Sequence, residues 1–123
     1  MPGFLTISNS RELMRFPTDS IVYVAGSGDY SNITMADGKV HMVTCQLGQI
    51  EDMLRAQLKQ NGRDLVRIGK SLIINLAFLT YINPVKKTLT LSDCRMFEFQ
   101  VSASREALSD LKTYFEQLAN LNG

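Results

Sequence analysis

Short alternating runs of hydrophobic and polar residues fill the first third of the chain, a pattern typical of β-strands. The runs are rich in β-branched and aromatic residues and are separated by Gly, Asp, Asn and Pro. We predict strands over residues 4–7, 12–16, 20–24, 30–35 and 39–43. The last two flank Asp37-Gly38, a dipeptide that favours a tight hairpin, so an antiparallel meander is expected.

After Thr44 the apolar spacing changes to three and four, which predicts one amphipathic helix that ends near Asn61-Gly62. Its apolar face comprises Leu47, Ile50, Leu54 and Leu58. Strand patterns then return over 65–68, 71–75, 78–82, 88–91 and 96–101, with turns at 83–87 and 92–95.

A second helical spacing closes the chain, and Ser102 or Ser104 can cap it. Its apolar positions are Leu108, Leu111, Phe115 and Leu118. The predicted class is therefore mostly β with minor α, with one central helix and one C-terminal helix.

Length and composition favour a single domain over residues 1–123, because 123 residues with 45% hydrophobic content can bury one real core. The apolar stretches at 72–74 and 77–79 are far shorter than the roughly 20 residues of a membrane-spanning helix. The first five residues lack the features of a secretory signal. We therefore expect a cytoplasmic protein without a membrane segment.

The chemistry-bearing residues do not indicate an enzyme. Cys45 and Cys94 are far apart and are expected to be free thiols, and His41 is the only histidine and lies in an alternating strand. We expect no metal site and no cofactor, and the sequence has no nucleophile elbow or phosphate loop. The net charge of +1 neither indicates nor excludes a polyanionic partner, which would need a local basic patch.

The segment 65–76 reads Leu-Val-Arg-Ile-Gly-Lys-Ser-Leu-Ile-Ile-Asn-Leu and resembles the signature of the LytTR DNA-binding domain family. Arg67, Ser71 and Asn75 stand at the matching places. The resemblance extends over roughly residues 18–115 in the right order. It takes in the segments 21–25, 29–30, 47–54, 89–95 and 101–105.

This resemblance implies an elongated fold of antiparallel sheets in which loops, rather than a recognition helix, reach the DNA. Family members typically bind repeated sites in double-stranded DNA, bend it and insert loops into successive major grooves. Binding as a homodimer or beside a partner regulator is compatible with this pattern. Most relatives carry a receiver domain or a membrane segment in front. The sequence shows neither, so we expect a stand-alone member whose domain resembles a response-regulator output domain.

The sequence departs from the family pattern in two places. Gly69-Lys70 stands where the family often has His followed by a short polar or basic residue. The family's closing Ser-Arg element can be aligned in two registers within 101–105. We prefer Ser104-Arg105, since it keeps Leu108 and Leu111 in helical phase.

Three loops supply the candidate DNA contacts, because a reader of DNA needs cations for phosphates and amide or fork-like groups for base edges. The resemblance assigns groove-facing groups in the first loop, a contacting lysine in the second and the Ser-Arg pair in the third. The predicted DNA-binding residues are Ser31, Asn32, Arg67, Lys70, Ser71, Ser104 and Arg105.

Several neighbours of these residues have other expected roles. Asp29 is expected to shape its turn and Gly69 to let the backbone approach closely. Lys86 and Lys87 can add phosphate contacts or simply be solvated. Asn75 is expected to tie backbone groups together.

The sequence thus predicts a sequence-specific DNA-binding transcription regulator that reads the major groove through loops. The alternative is a protein-interaction module that modulates another regulator of the same family without strong DNA binding of its own. The near-neutral charge motivates this alternative.

Overall fold

The computed structural model describes residues 3–58 and 64–120, which form ten strands and two α-helices. The strands are β1 (Phe4–Ser8), β2 (Leu13–Pro17), β3 (Ile21–Ser27), β4 (Tyr30–Met35), β5 (Val40–Val43), β6 (Leu65–Ile68), β7 (Leu72–Asn75), β8 (Leu79–Asn83), β9 (Thr88–Ser92) and β10 (Glu98–Ser102). The helices are α1 (Leu47–Leu58) and α2 (Arg105–Leu118).

Antiparallel pairing joins the strands into sheets of five, three and two strands within the described residues. The largest has the order β5-β4-β3-β7-β6, the second β10-β9-β8, and the third is the hairpin β1-β2. The predicted class, mostly β with two helices and antiparallel sheets, is confirmed.

Two hydrophobic clusters cover the two faces of the five-stranded sheet. Ile73 and Ile74 are consecutive and fully buried, and they belong to different clusters because successive strand side chains point to opposite faces. Helix α1 and the β1-β2 hairpin build the first cluster, and the three-stranded sheet and α2 build the second. The sheet is therefore the central layer on which both helices are fixed.

Helix α1 buries the four residues that its spacing predicted, Leu47, Ile50, Leu54 and Leu58. Its Gln57 side chain also pairs with the backbone of Thr6: the amide oxygen accepts the Thr6 N–H at 2.8 Å and the amide nitrogen donates to the Thr6 carbonyl at 2.9 Å. The predicted end of the helix at Asn61-Gly62 lies outside the described residues.

Asn75 links the five-stranded sheet to the segment that leaves it. The side chain is 3% exposed, its Nδ2 donates to the Ile21 carbonyl at 2.9 Å, and its Oδ1 accepts the Ala77 N–H at 3.0 Å. The second bond starts a 3₁₀ turn over Leu76–Phe78, so β8 begins at Leu79 rather than at residue 78. The side chain therefore has the structural role expected from the sequence.

Several predicted strand limits are wrong, and two of the differences have local reasons. β2 extends to Pro17. Because β2 pairs only with β1, a proline is tolerated there, where its missing N–H would face the open edge of the sheet. β10 begins at Glu98 rather than at residue 96, because the Asp93 Oδ1 accepts three backbone N–H groups and holds that segment in a turn. The bond from the Phe97 N–H is the main cause that lowers the pKa of Asp93.

Candidate nucleic-acid interface

The first two candidate loops lie side by side at one end of the five-stranded sheet. β3 turns into β4 at residues 27–30, and β6 turns into β7 at residues 69–71. β3 and β7 pair antiparallel with Ala25 opposite Leu72, and the Gly26 N–H donates to the Ser71 carbonyl at 2.8 Å. The end of one hairpin is thus hydrogen-bonded to the end of the other.

The third candidate loop, residues 102–105, packs against the second, residues 69–71. Gly69 has a φ of +59°, and a methyl group on it would lie 3.6 Å from the Ala107 Cβ and 4.0 Å from the Ser104 Oγ. An open cavity of about 600 Å³ lies between the two loops, with Lys70 and Ser71 on one side and Ser104 on the other. The structure therefore brings together candidate residues that are more than thirty positions apart in the sequence.

Ser104 caps helix α2, and its Oγ accepts the Ala107 N–H at 3.1 Å. Arg105 is consequently the first helical residue, exposed beside the cavity. Of the two serines that could cap the helix, the structure selects Ser104, which agrees with the preferred register.

A basic turn lies against the third loop. The Ala103 N–H donates to the Lys87 carbonyl at 3.1 Å, and Ser102 pairs with Thr88 across β10 and β9. Lys86 and Lys87 are both exposed in this turn. We call the four segments 27–30, 69–71, 84–87 and 102–105 the loop surface.

The loop surface and its border carry charges of both signs. Lys70, Lys86, Lys87 and Arg105 are exposed, and within residues 3–58 and 64–120 neither Lys70 nor Arg105 forms an ion pair. Glu106 and Asp110 line the cavity between the second and third loops. Acidic groups so close to the cations oppose indiscriminate adhesion to phosphates, so the position of each cation matters.

The prediction that Ser31 faces a groove is wrong. Its side chain is fully buried, and its Oγ donates to the Cys45 carbonyl at 2.7 Å. Ser31 lies within β4, where it pairs with Gly26 and Val43. Its hydroxyl therefore connects the sheet to the segment that precedes α1. Asn32 is half-buried between Ala25 and Met42 on the other face of the sheet, and its DNA contact stays a prediction.

Two exposed residues at this end, Tyr30 and Gln46, are not among the predicted DNA-binding residues. Tyr30 is 48% exposed at the start of β4, and the Gln46 Nε2 donates to the Asp29 Oδ1 at 3.1 Å. The alternation of β4 could have identified Tyr30, because a buried Ser31 places its neighbour outside. The Gln46 contact depends on how the start of α1 is placed relative to the first loop, and the sequence pattern does not predict that placement.

Arg67 is engaged inside the protein. Its Nη1 lies 3.2 Å from the Glu51 Oε1 on α1, and its Nη2 donates to the Lys70 carbonyl at 2.8 Å. The side chain is 31% exposed. Its predicted DNA contact stays a prediction, but its observed contacts hold the backbone of the second loop.

Gly69→Ala is expected to lower the free energy of unfolding by about 1–2 kcal/mol, because a Cβ is unfavourable in the left-handed region. The space itself is adequate, since the new methyl group would make only ordinary contacts. Urea denaturation measures the change. Gly48→Ala within α1 is the matched control and should raise stability slightly; equal effects of the two variants would contradict the strain argument.

Comparison with known proteins gives one consistent result. The family model for the LytTr DNA-binding domain matches residues 11–116. A solved structure with a similar fold is described as the LytTr DNA-binding domain of a methyl-accepting/DNA response regulator from Bacillus cereus. It has a TM-score of 0.57 and 17% identity, over 97% of this chain and 98% of that chain. No curated protein sequence matches significantly.

None of the helices that the structure describes is long and apolar enough to span a bilayer.

Proposed function

Because the chain belongs to the LytTr DNA-binding domain family, we propose that it regulates transcription by reading the major groove of double-stranded DNA through the loop surface. The observation that carries this proposal is the convergence of the second and third loops on one cavity beside the first loop. Hairpin turns are suited to this task, since the major groove of B-DNA admits a two-stranded β-ribbon.

We assign the contacts by chemistry. Arg105 suits two-pronged recognition of guanine or a phosphate, and Lys70 suits a phosphate or a guanine acceptor. Ser71 and Ser104 add hydroxyls; the Ser104 oxygen accepts the Ala107 N–H but its own O–H remains available to donate. Asn32 and the exposed Tyr30 would contact the DNA at the border of the first loop.

The proposal extends to the form of the DNA site. We propose that the domain, expected to act as one unit over residues 1–123, binds a repeated sequence with two copies of the chain or with one copy beside a partner regulator. Two copies on repeated half-sites would place equivalent loops in successive major grooves on one side of the helix.

A second candidate function is the protein-interaction module. The observation in its favour is the edge strand β5, where Val40 is 58% and Met42 is 64% exposed. Exposed apolar residues on a sheet edge can support strand pairing with another protein.

Selection from a random-sequence pool of duplexes tests the proposal. The purified chain is expected to enrich a short repeated site. A duplex that carries this site, the selected duplex, then serves as the probe for all variants. Recovery of duplexes without a common sequence, at affinity no higher than that for an unrelated duplex, would favour the interaction module instead.

A further inference from the structure

A chain of two contacts connects helix α1 to the backbone of the second loop. The Glu51 Oε1 lies 3.2 Å from the Arg67 Nη1, and the Arg67 Nη2 donates to the Lys70 carbonyl at 2.8 Å. Both contacts use one guanidinium, whose planar fork fixes the relative direction of its two partners. We call Glu51 and Arg67 the clamp.

Among residues 3–58 and 64–120, Arg67 is the one residue whose side chain forms a hydrogen bond to the backbone of the second loop. Gly69 adopts a left-handed conformation, and Lys70 follows it as an exposed residue at the tip of the turn. The Arg67 bond to the Lys70 carbonyl is charge-assisted and short, so it fixes the peptide group that directly follows the Cα from which the lysine side chain projects. The direction of Lys70 therefore depends on Arg67.

Glu51 in turn anchors the guanidinium to a rigid element. α1 buries four leucine and isoleucine side chains against the sheet, and its Gln57 pairs with the backbone of β1. Gly48 lies one turn before Glu51 on α1, and a methyl group there would lie 3.6 Å from the Arg67 Nη1. The guanidinium thus lies against the first turns of the helix.

We propose that Glu51 and Arg67 are positioning residues that set the approach of Lys70 to DNA, and that Arg67 acts through this turn rather than as a direct reader. This inference rests on the proposed function of the loop surface. Helix α1 contributes no base-reading group to the loop surface. The inference nevertheless gives its acidic residue Glu51 a role in the affinity for specific DNA. It also explains why an arginine stands at 67, because a lysine could not bond both partners in this fork geometry.

The clamp makes a prediction opposite in sign to simple electrostatics. Removing a carboxylate near a DNA-binding surface reduces repulsion of phosphates, so charge alone predicts that Glu51→Ala tightens binding. Loss of the clamp predicts weaker binding to the selected duplex, because Lys70 is no longer held in one direction. The sign of the change distinguishes the two.

The test measures binding of the purified chain to the selected duplex and to an unrelated duplex of equal length. Glu51→Ala is expected to weaken binding to the selected duplex by roughly 3- to 10-fold, which lies in the lower part of the range for coupled neighbours. Glu51→Gln keeps an acceptor for the Arg67 Nη1 and should recover most of the loss. Binding to the unrelated duplex should be equal to or slightly above that of the wild-type chain.

Asp52→Ala is the matched control on the same helix. It removes one carboxylate and one contact to Arg55, as Glu51→Ala does, but leaves Arg67 untouched. Its affinity for the selected duplex should equal or slightly exceed that of the wild-type chain. If Glu51→Ala behaves like Asp52→Ala, the clamp has no part in binding and the inference is overturned. Thermal unfolding of each variant checks that the fold is retained.

A double-variant cycle with Lys70→Ala separates positioning from general stability. If Glu51 acts through Lys70, the Glu51→Ala change should have almost no further effect once Lys70 is alanine; additive losses would overturn the inference. Lys70→Ala alone also tests the proposed function. If it leaves binding to the selected duplex unchanged, the assignment of the second loop fails and the clamp falls with it; if it weakens binding while Glu51→Ala does not, only the clamp fails.

Discussion

The Lys70→Ala, Arg105→Ala double variant is expected to bind the selected duplex roughly 100-fold more weakly than the wild-type chain. The two side chains come from loops that pack together, and within residues 3–58 and 64–120 neither is held in an ion pair. Their loss therefore removes contacts to DNA without breaking contacts inside the protein. Fluorescence anisotropy with a labelled duplex measures the affinity.

A double variant with the same change in charge provides the control. Lys39 and Arg95 are exposed cations in turns at the ends of the sheets opposite the loop surface. Lys39→Ala, Arg95→Ala should reduce specific binding only modestly, through the change in net charge. If the two double variants lose affinity equally, the loop surface has no special part in recognition, and charge alone accounts for binding.

Asn75→Ala is expected to lower the free energy of unfolding by about 2–4 kcal/mol, since it leaves a buried carbonyl and a partly buried N–H without their partner. The carbonyl is that of Ile21 in β3, and the N–H is that of Ala77 in the turn that leads to β8. The variant therefore weakens the hydrogen bonds that hold the connection between the five-stranded and the three-stranded sheet. Urea denaturation followed by circular dichroism measures this change.

Asn83→Ala is the matched control for the loss of an asparagine amide. Asn83 is partly exposed, and its contacts to Tyr81 and to the Lys86 N–H lie at the surface, where water can replace them. We expect a loss below about 1 kcal/mol for this variant. If Asn75→Ala is as stable as Asn83→Ala or more stable, the buried amide of Asn75 does not stabilise the fold.

The periodicity of the sequence predicted most elements of the fold, because the buried faces are continuous. The spacing of Leu47, Ile50, Leu54 and Leu58 gave α1 its buried face. Asp-Gly at 37–38 gave the turn between β4 and β5. The start of β10 was wrong because it depends on a single side chain: the Asp93 Oδ1 accepts three backbone N–H groups, and no hydrophobic pattern reports such bonds.

The candidate site was predicted less completely than the fold. The family resemblance identified the second and third loops, and the structure brings Lys70, Ser71 and Ser104 to one cavity. Alternation along β4 places Ser31 on the same face as Ile33, but the sequence could not reveal which group satisfies the buried hydroxyl, here the distant carbonyl of Cys45. It also could not reveal the contacts of Arg67, whose acidic partner Glu51 lies 16 positions earlier, within helix α1.

The most direct test of DNA recognition through the loop surface is the affinity of the wild-type chain for the selected and the unrelated duplex over a series of salt concentrations. We predict that the logarithm of the association constant falls linearly with the logarithm of salt, with a slope near −0.9 for each phosphate neutralised. The selected duplex should stay roughly a thousandfold or more tighter than the unrelated one. Binding that is absent, or that does not change with salt, would contradict the account and favour a protein partner.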